Sequence, residues 1–163
     1  MKKNKELWLG LGLIWLPVLY ALITFAKLPA QLDVHFGLNQ ASNGQVEKLL
    51  FVLGFPLAMS ALHALIYVSS LKKEIVNPTF RKIERLMIPV ISSILYLSLL
   101  LKNLYTDFPV VKISGFLVGL ILFFVGNYLP KQVQEDRKSA PRWMGYGFII
   151  FGLLFVILAL FVV

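Results

Sequence analysis

The sequence predicts an all-α membrane protein, a bundle of five transmembrane helices with an extended extracytoplasmic loop between helices 1 and 2. Three observations predict it. Hydrophobic residues make up 58% of the 163-residue chain and mean hydropathy is +0.79, more apolar surface than one small core hides from water. Five stretches free of Asp, Glu, Lys and Arg follow one another: Leu7–Ala26, Leu49–Leu71, Leu86–Leu101, Ile113–Leu129 and Trp143–Val163. The basic residues between them fall unevenly on the two sides.

A helix crossing ~30 Å of hydrocarbon needs about 20 residues, and roughly 17 is the lower end. The third and fourth stretches are short by that measure and the others comfortable. Lys2, Lys3 and Lys5 precede the first stretch, as in a signal peptide. Its apolar run exceeds the roughly 7–15 residues of such a segment and no small-x-small cleavage site follows, so an uncleaved helix is expected. Pro17 and Pro56 should kink their helices, whereas Pro89 falls in the first turn of the third, where proline is tolerated.

With the N-terminus in the cytoplasm, twelve Lys and Arg residues lie inside and four outside (Lys27, Lys48, Lys102, Lys112). That asymmetry sets topology: N-terminus inside, Val163 outside, and the 28–48 loop outside. The net charge of +8 is thereby spent on orientation and contact with anionic headgroups, and a nucleic-acid partner is not expected. A cytosolic regulator on the basic inner loops is the alternative use of those charges. Trp8, Trp143 and Tyr128 fall near the inner interface and Tyr105 near the outer one. No repeat or linker divides the chain, so one membrane domain, 1–163, is expected. There is no cysteine, which excludes disulfides, thiolate metal sites and a Cys nucleophile.

The outer loop has its own pattern. Pro29 ends the first helix. Leu32 to Leu38 then alternates apolar and polar, the period of a strand, with Leu32, Val34, Phe36 and Leu38 toward the membrane surface or the bundle and Asp33 and His35 on the wetter face. Asn43-Gly44 reads as the tight turn before Glu47 and Lys48 open the second helix. The loop should lie across the bundle as a cap. Asp33, His35, Phe36, Asn39 and Glu47 are its candidate functional residues, for peptide or lipid contact. Asp33, His35 and Glu47 are also suitable zinc ligands, weighed against a reading in which Asp33 and His35 merely hold the loop in shape; no metal or cofactor is expected.

Inside the spans, His63 is the only His, Asp, Glu, Lys or Arg. Ser60, His63, Tyr67 and Ser70 share one helix face, and Ser92, Ser93 and Tyr96 of the third helix reach a similar depth. Polar side chains in hydrocarbon seek one another, so these faces should meet. An intramembrane His is a functional candidate, here a proton carrier, weighed against an interhelical hydrogen bond. Gly115 and Gly119 match a close-packing motif, read as a seam within the bundle, with a homodimer seam as the alternative. No Ser-His-Asp spacing, HExxH, P-loop or GxGxxG is present, and no enzyme is expected.

Leu28-Pro29, His35-Phe36, the Asn- and Gly-containing turn at Asn39–Gly44 and Lys48 together resemble the extracytoplasmic loop of SdpI-type membrane proteins. Gly126-Asn127-Tyr128-Leu129-Pro130-Lys131 resembles the GNYLPK motif of the same family. The resemblance covers Leu7 to Lys131. Beyond it, the Gly-Ile-Arg-Thr-Pro-Trp-like segment of longer members has no counterpart except Trp143. What it implies is membership of the broad family, whose members include bacterial immunity proteins against secreted peptide toxins; the best-known member also tethers a repressor. A small carrier using His63 and a metal-dependent membrane hydrolase are the competing readings.

Overall fold

The computed structural model describes residues 4–73, 75–131 and 138–161. Lys2, Lys3 and Val163, and Arg137 among the twelve inner basic residues, lie outside them. Five helices are long and apolar enough to cross a membrane: α1 (Lys5–Ile23), α2 (Phe55–Lys72, preceded by a π-helical turn at Leu50–Gly54), α3 (Pro78–Leu104), α4 (Val110–Tyr128) and α5 (Arg142–Phe161). The chain is a multi-pass membrane protein. A single hairpin of β1 (Gln31–Phe36) and β2 (Ser42–Glu47) joins α1 to the π-turn.

The main departure from expectation is α3, which starts at Pro78, not Leu86, and runs for 27 residues. Asn77 caps it, its side-chain oxygen accepting from the Phe80 amide at 2.9 Å, and Pro78 occupies the first turn, where its missing N–H costs nothing. The basic run Phe80–Arg85 is therefore helix and not loop, and Pro89 sits in the helix interior. Pro56 instead falls in the first turn of α2, directly after the π-turn.

Helices α1, α2 and α3 pack on one another, while α5 packs on α4, and α4 is joined to the rest through α3. The α4–α5 seam is built on small residues. A Cβ on Gly119 would come within 2.7 Å of the Gly152 carbonyl oxygen, one on Gly126 within 2.6 Å of that of Gly145, and one on Gly115 within 2.9 Å of the Ala159 Cβ. Gly115 and Gly119 thus lie at an intramolecular seam, where close backbone approach replaces the missing hydrophobic drive between helices in lipid. At the hairpin end a core of Val18, Ala21, Leu28, Leu32, Phe51, Val52, Tyr96 and Leu100 ties the cap to the bundle.

Candidate functional site

The hairpin is the first candidate. β1 and β2 pair antiparallel, with Leu32 opposite Val46 and Asp33 opposite Gln45. The reversal occurs at Gly37–Ala41 and not at Asn43-Gly44. Gly37 N–H donates to Ala41 at 2.9 Å, Gln40 N–H to Gly37 at 2.9 Å, and the Asn39 side chain accepts from the Ala41 amide at 3.1 Å. The physical reason is partner supply: a turn at residue 43 would leave β1 only a few residues to pair with before the next helix. Gly44 lies within the ladder at an irregularity opposite His35, where an added Cβ would sit 3.0 Å from the His35 Cβ.

The alternation places Leu32 fully inside, Val34 and Phe36 half-buried and His35 outside; Leu38, 78% exposed at the tip, does not pack on the bundle. On the outer face Asp33 Oδ1 accepts from Ser42 Oγ at 2.6 Å and Gln45 Nε2 at 2.9 Å. His35 Nδ1 pairs with Asn43 Oδ1. Glu47 stands opposite Gln31. Among the described residues no three His, Asp or Glu side chains gather closely enough to hold a metal ion. The shape-holding reading therefore fits Asp33 and His35.

Asn103, which carries no signal in the sequence, and Lys48, part of the loop motif, fasten this hairpin. Asn103, in the last turn of α3, accepts from the Asp33 amide at 2.8 Å and donates to the Asp33 carbonyl at 2.9 Å. Its side-chain amide acts as one more strand residue along the edge of β1. Lys48 donates to the Leu28 carbonyl at 2.7 Å and the Phe25 carbonyl at 3.2 Å, closing the carbonyl-rich end of the short 3₁₀ turn after α1.

The second candidate is a polar network at the opposite end. Arg85, 8% exposed, donates through Nε to Ser70 Oγ at 2.7 Å and through Nη1 to Glu6 at 2.6 Å, and its guanidinium lies 4.9 Å from the Tyr67 ring. His63 is fully buried, with Nε2 3.3 Å from the Leu7 carbonyl oxygen and its ring 6.5 Å from that of Tyr67. Among the described residues its Nδ1 has no hydrogen-bond partner. Gly10 makes room for the imidazole, since a Cβ there would stand 2.2 Å from Nε2. Glu6 and Arg85 each stand one residue outside a charge-free stretch.

The polar residues of α2 and α3 do not bond as expected. Ser60 accepts from Trp15 Nε1 at 3.0 Å and His63 meets Leu7, both on α1. Ser93 donates to the Leu13 carbonyl of α1 at 2.6 Å, Ser92 to Pro89 at 3.1 Å, and Tyr96 to the Val52 carbonyl of the π-turn at 3.1 Å. Backbone carbonyls face His63, Ser92, Ser93 and Tyr96, and those of Leu7 and Leu13 belong to α1.

The Gly126–Lys131 motif forms the end of α4 and the residues just after it. Lys131 donates to Asn127 Oδ1 at 3.0 Å and lies 5.0 Å over the Tyr128 ring. That ring packs on Phe80 of α3, and Pro130 packs against Gly145. Pro29 follows the short 3₁₀ turn at Phe25–Lys27. Compared with known proteins, the chain matches no family model, no curated protein and no solved structure.

Proposed function

We propose that this chain is an SdpI-type protein of the bacterial cytoplasmic membrane that protects its cell from a secreted antimicrobial peptide. The N-terminus lies inside and the hairpin outside, because the basic residues concentrate at the end away from the hairpin. The observation that carries the reading is the fixed placement of the hairpin. Asn103 and Lys48 hold it to the bundle, so that Asp33, His35, Gln45 and Glu47 form a standing polar face with Leu38 projecting at the tip. Asn103 occupies the edge of β1. The edge of β2, whose residues are largely exposed, is where an extended peptide adds as a further strand. Capture there sequesters the toxin before it disturbs the bilayer; a cytosolic regulator, where one exists, meets the basic opposite end.

The test is gene deletion followed by challenge with peptides from neighbouring strains. Survival should fall, return with the wild-type gene, and fail to return with His35→Ala/Phe36→Ala protein that still accumulates in the membrane. Full protection by that variant would remove the hairpin from the mechanism. A reporter after Val163 should signal outside and one within 72–77 inside; a cytoplasmic C-terminus overturns the orientation.

One observation favours a second reading. His63 is buried with an unbonded Nδ1 beside the Arg85–Glu6 pair, an arrangement a proton-coupled carrier would use.

A further inference from the structure

All the closest approaches of α4 are made toward α5, because its three glycines face that helix. Toward α3 it presents Leu120, Ile121 and Phe124, and branched side chains on both walls keep the helices apart. A trench results. Its inner part, about 200 Å³, is lined only by apolar residues, among them Val90 and Ile91 of α3 and Leu120 and Ile121 of α4. It continues past Ile83, Met87 and Phe124, which line both parts, into a chamber of about 400 Å³ at the end away from the hairpin. There the walls become polar, with Glu84, Tyr128, Lys131 and Lys138.

From this gradient we infer that the α3–α4 trench is a binding site for one anionic, hydroxyl-headed phospholipid of the bilayer, phosphatidylglycerol in type. One acyl chain lies along the apolar trench, where each buried methylene adds favourable free energy. The phosphate sits between Lys131 and Lys138 at the mouth. Lys131 is set in place by Asn127 at 3.0 Å and the Tyr128 ring, and its ammonium keeps two further donors. Glu84 gives the second, independent sign of a ligand. Its Oε1 is paired with Lys73 at 2.5 Å, but its Oε2 is buried without a hydrogen-bond partner among the described residues. A buried carboxylate oxygen calls for a donor, and a headgroup hydroxyl supplies one. With Lys73 matching Glu84, the mouth keeps the charge of its two other lysines and selects an anion over a zwitterion.

The test is native mass spectrometry of the full chain released from nanodiscs holding equal parts of phosphatidylglycerol, phosphatidylethanolamine and phosphatidylcholine with identical acyl chains. Phosphatidylglycerol should be retained at one per chain in preference to the other two. Lys131→Ala with Lys138→Ala, surface changes that leave the helices packed, should lower that preference roughly 30-fold, from the ~1 kcal/mol each lysine contributes near a membrane surface. Ile121→Trp, which fills the trench, should remove retention of all three. Equal retention of the three lipids by the wild type, or an unchanged preference in the double lysine variant, overturns the proposal. A preference for phosphatidylethanolamine overturns the anionic headgroup by assigning Glu84 to an ammonium.

Discussion

The Ser93 hydroxyl donates to the Leu13 carbonyl across the α1–α3 seam at 2.6 Å, and Leu13 is the residue whose carbonyl Pro17, four positions on, cannot serve. The pattern extends to Pro56. Tyr96 donates to Val52, four residues before Pro56. Proline has no N–H to give the preceding turn, and in lipid the freed oxygen must find a donor inside the protein. Ser93 and Tyr96 are donors of that kind, which explains why they face backbone rather than each other.

This gives a double-mutant prediction. Ser93→Ala should lower stability by about 0.6 kcal/mol and no more than about 1.7, the mean and maximum for interhelical hydrogen bonds in a membrane protein. In a Pro17→Ala background the restored amide of residue 17 serves Leu13, and losing the Ser93 hydroxyl should cost clearly less. Ser93 Oγ also lies 2.8 Å from the Pro89 carbonyl, but that oxygen has its own helical donor. Equal costs in both backgrounds, measured by reversible unfolding in detergent, would show that the Leu13 oxygen is not what the hydroxyl serves.

Asn103 should control the hairpin separately from the helices. Asn103→Asp keeps an acceptor for the Asp33 amide but loses the donor to its carbonyl, and Asn103→Leu loses both. Hydrogen exchange at Asp33 should therefore quicken in the order wild type, Asp, Leu, with exchange in α1 and α3 unchanged. Toxin protection should decline in the same order under the proposed function. Unchanged hairpin exchange in Asn103→Leu would mean that the hydrophobic core around Leu32 holds the hairpin unaided.

Much of this architecture is legible in the sequence, for one physical reason. Lipid demands long apolar runs, so the number and order of helices can be read from charge-free stretches. The same criterion truncates α3, because Arg85 and Glu84 are turned onto partners instead of solvent and look like loop residues when counted alone. β1 is legible from its alternation, whereas β2, SNGQVE, has one large apolar residue and no periodic signal. Asn103 and Asp33 are 70 positions apart, and Arg85 and Glu6 are 79; pairings at such distances leave no local trace. Which carbonyls the prolines orphan follows directly from spacing, but which hydroxyl meets each of them depends on packing.

The Arg85–Glu6 pair should behave as a partly buried unit. Removing one charge leaves the other facing an apolar interior, which typically costs about 3–5 kcal/mol, while replacing both by apolar residues of similar size is often near neutral. Arg85→Met should thus destabilise strongly, and Glu6→Leu added to it should recover most of the loss, less so because Glu6 keeps 28% exposure. Additive losses in thermal unfolding would mean that Arg85 acts mainly through Ser70 and the Tyr67 ring.

His63 is where the structural and carrier readings part. Its ring fills the space above Gly10, so Gly10→Ala, which places a methyl 2.2 Å from Nε2, should cost about 1–3 kcal/mol as an overpacked seam. If His63 serves only to bridge helices, His63→Asn should be tolerated, because an amide keeps a donor and an acceptor, and its smaller size should also relieve Gly10→Ala. His63→Leu should lose the bond to Leu7 at about 0.6–2 kcal/mol and leave protection intact. A proton carrier would behave differently: an amide does not titrate in the accessible range, so His63→Asn would fold normally and be inactive. We expect the bridging outcome. A stable His63→Asn protein without protective activity would place the carrier reading ahead of peptide interception.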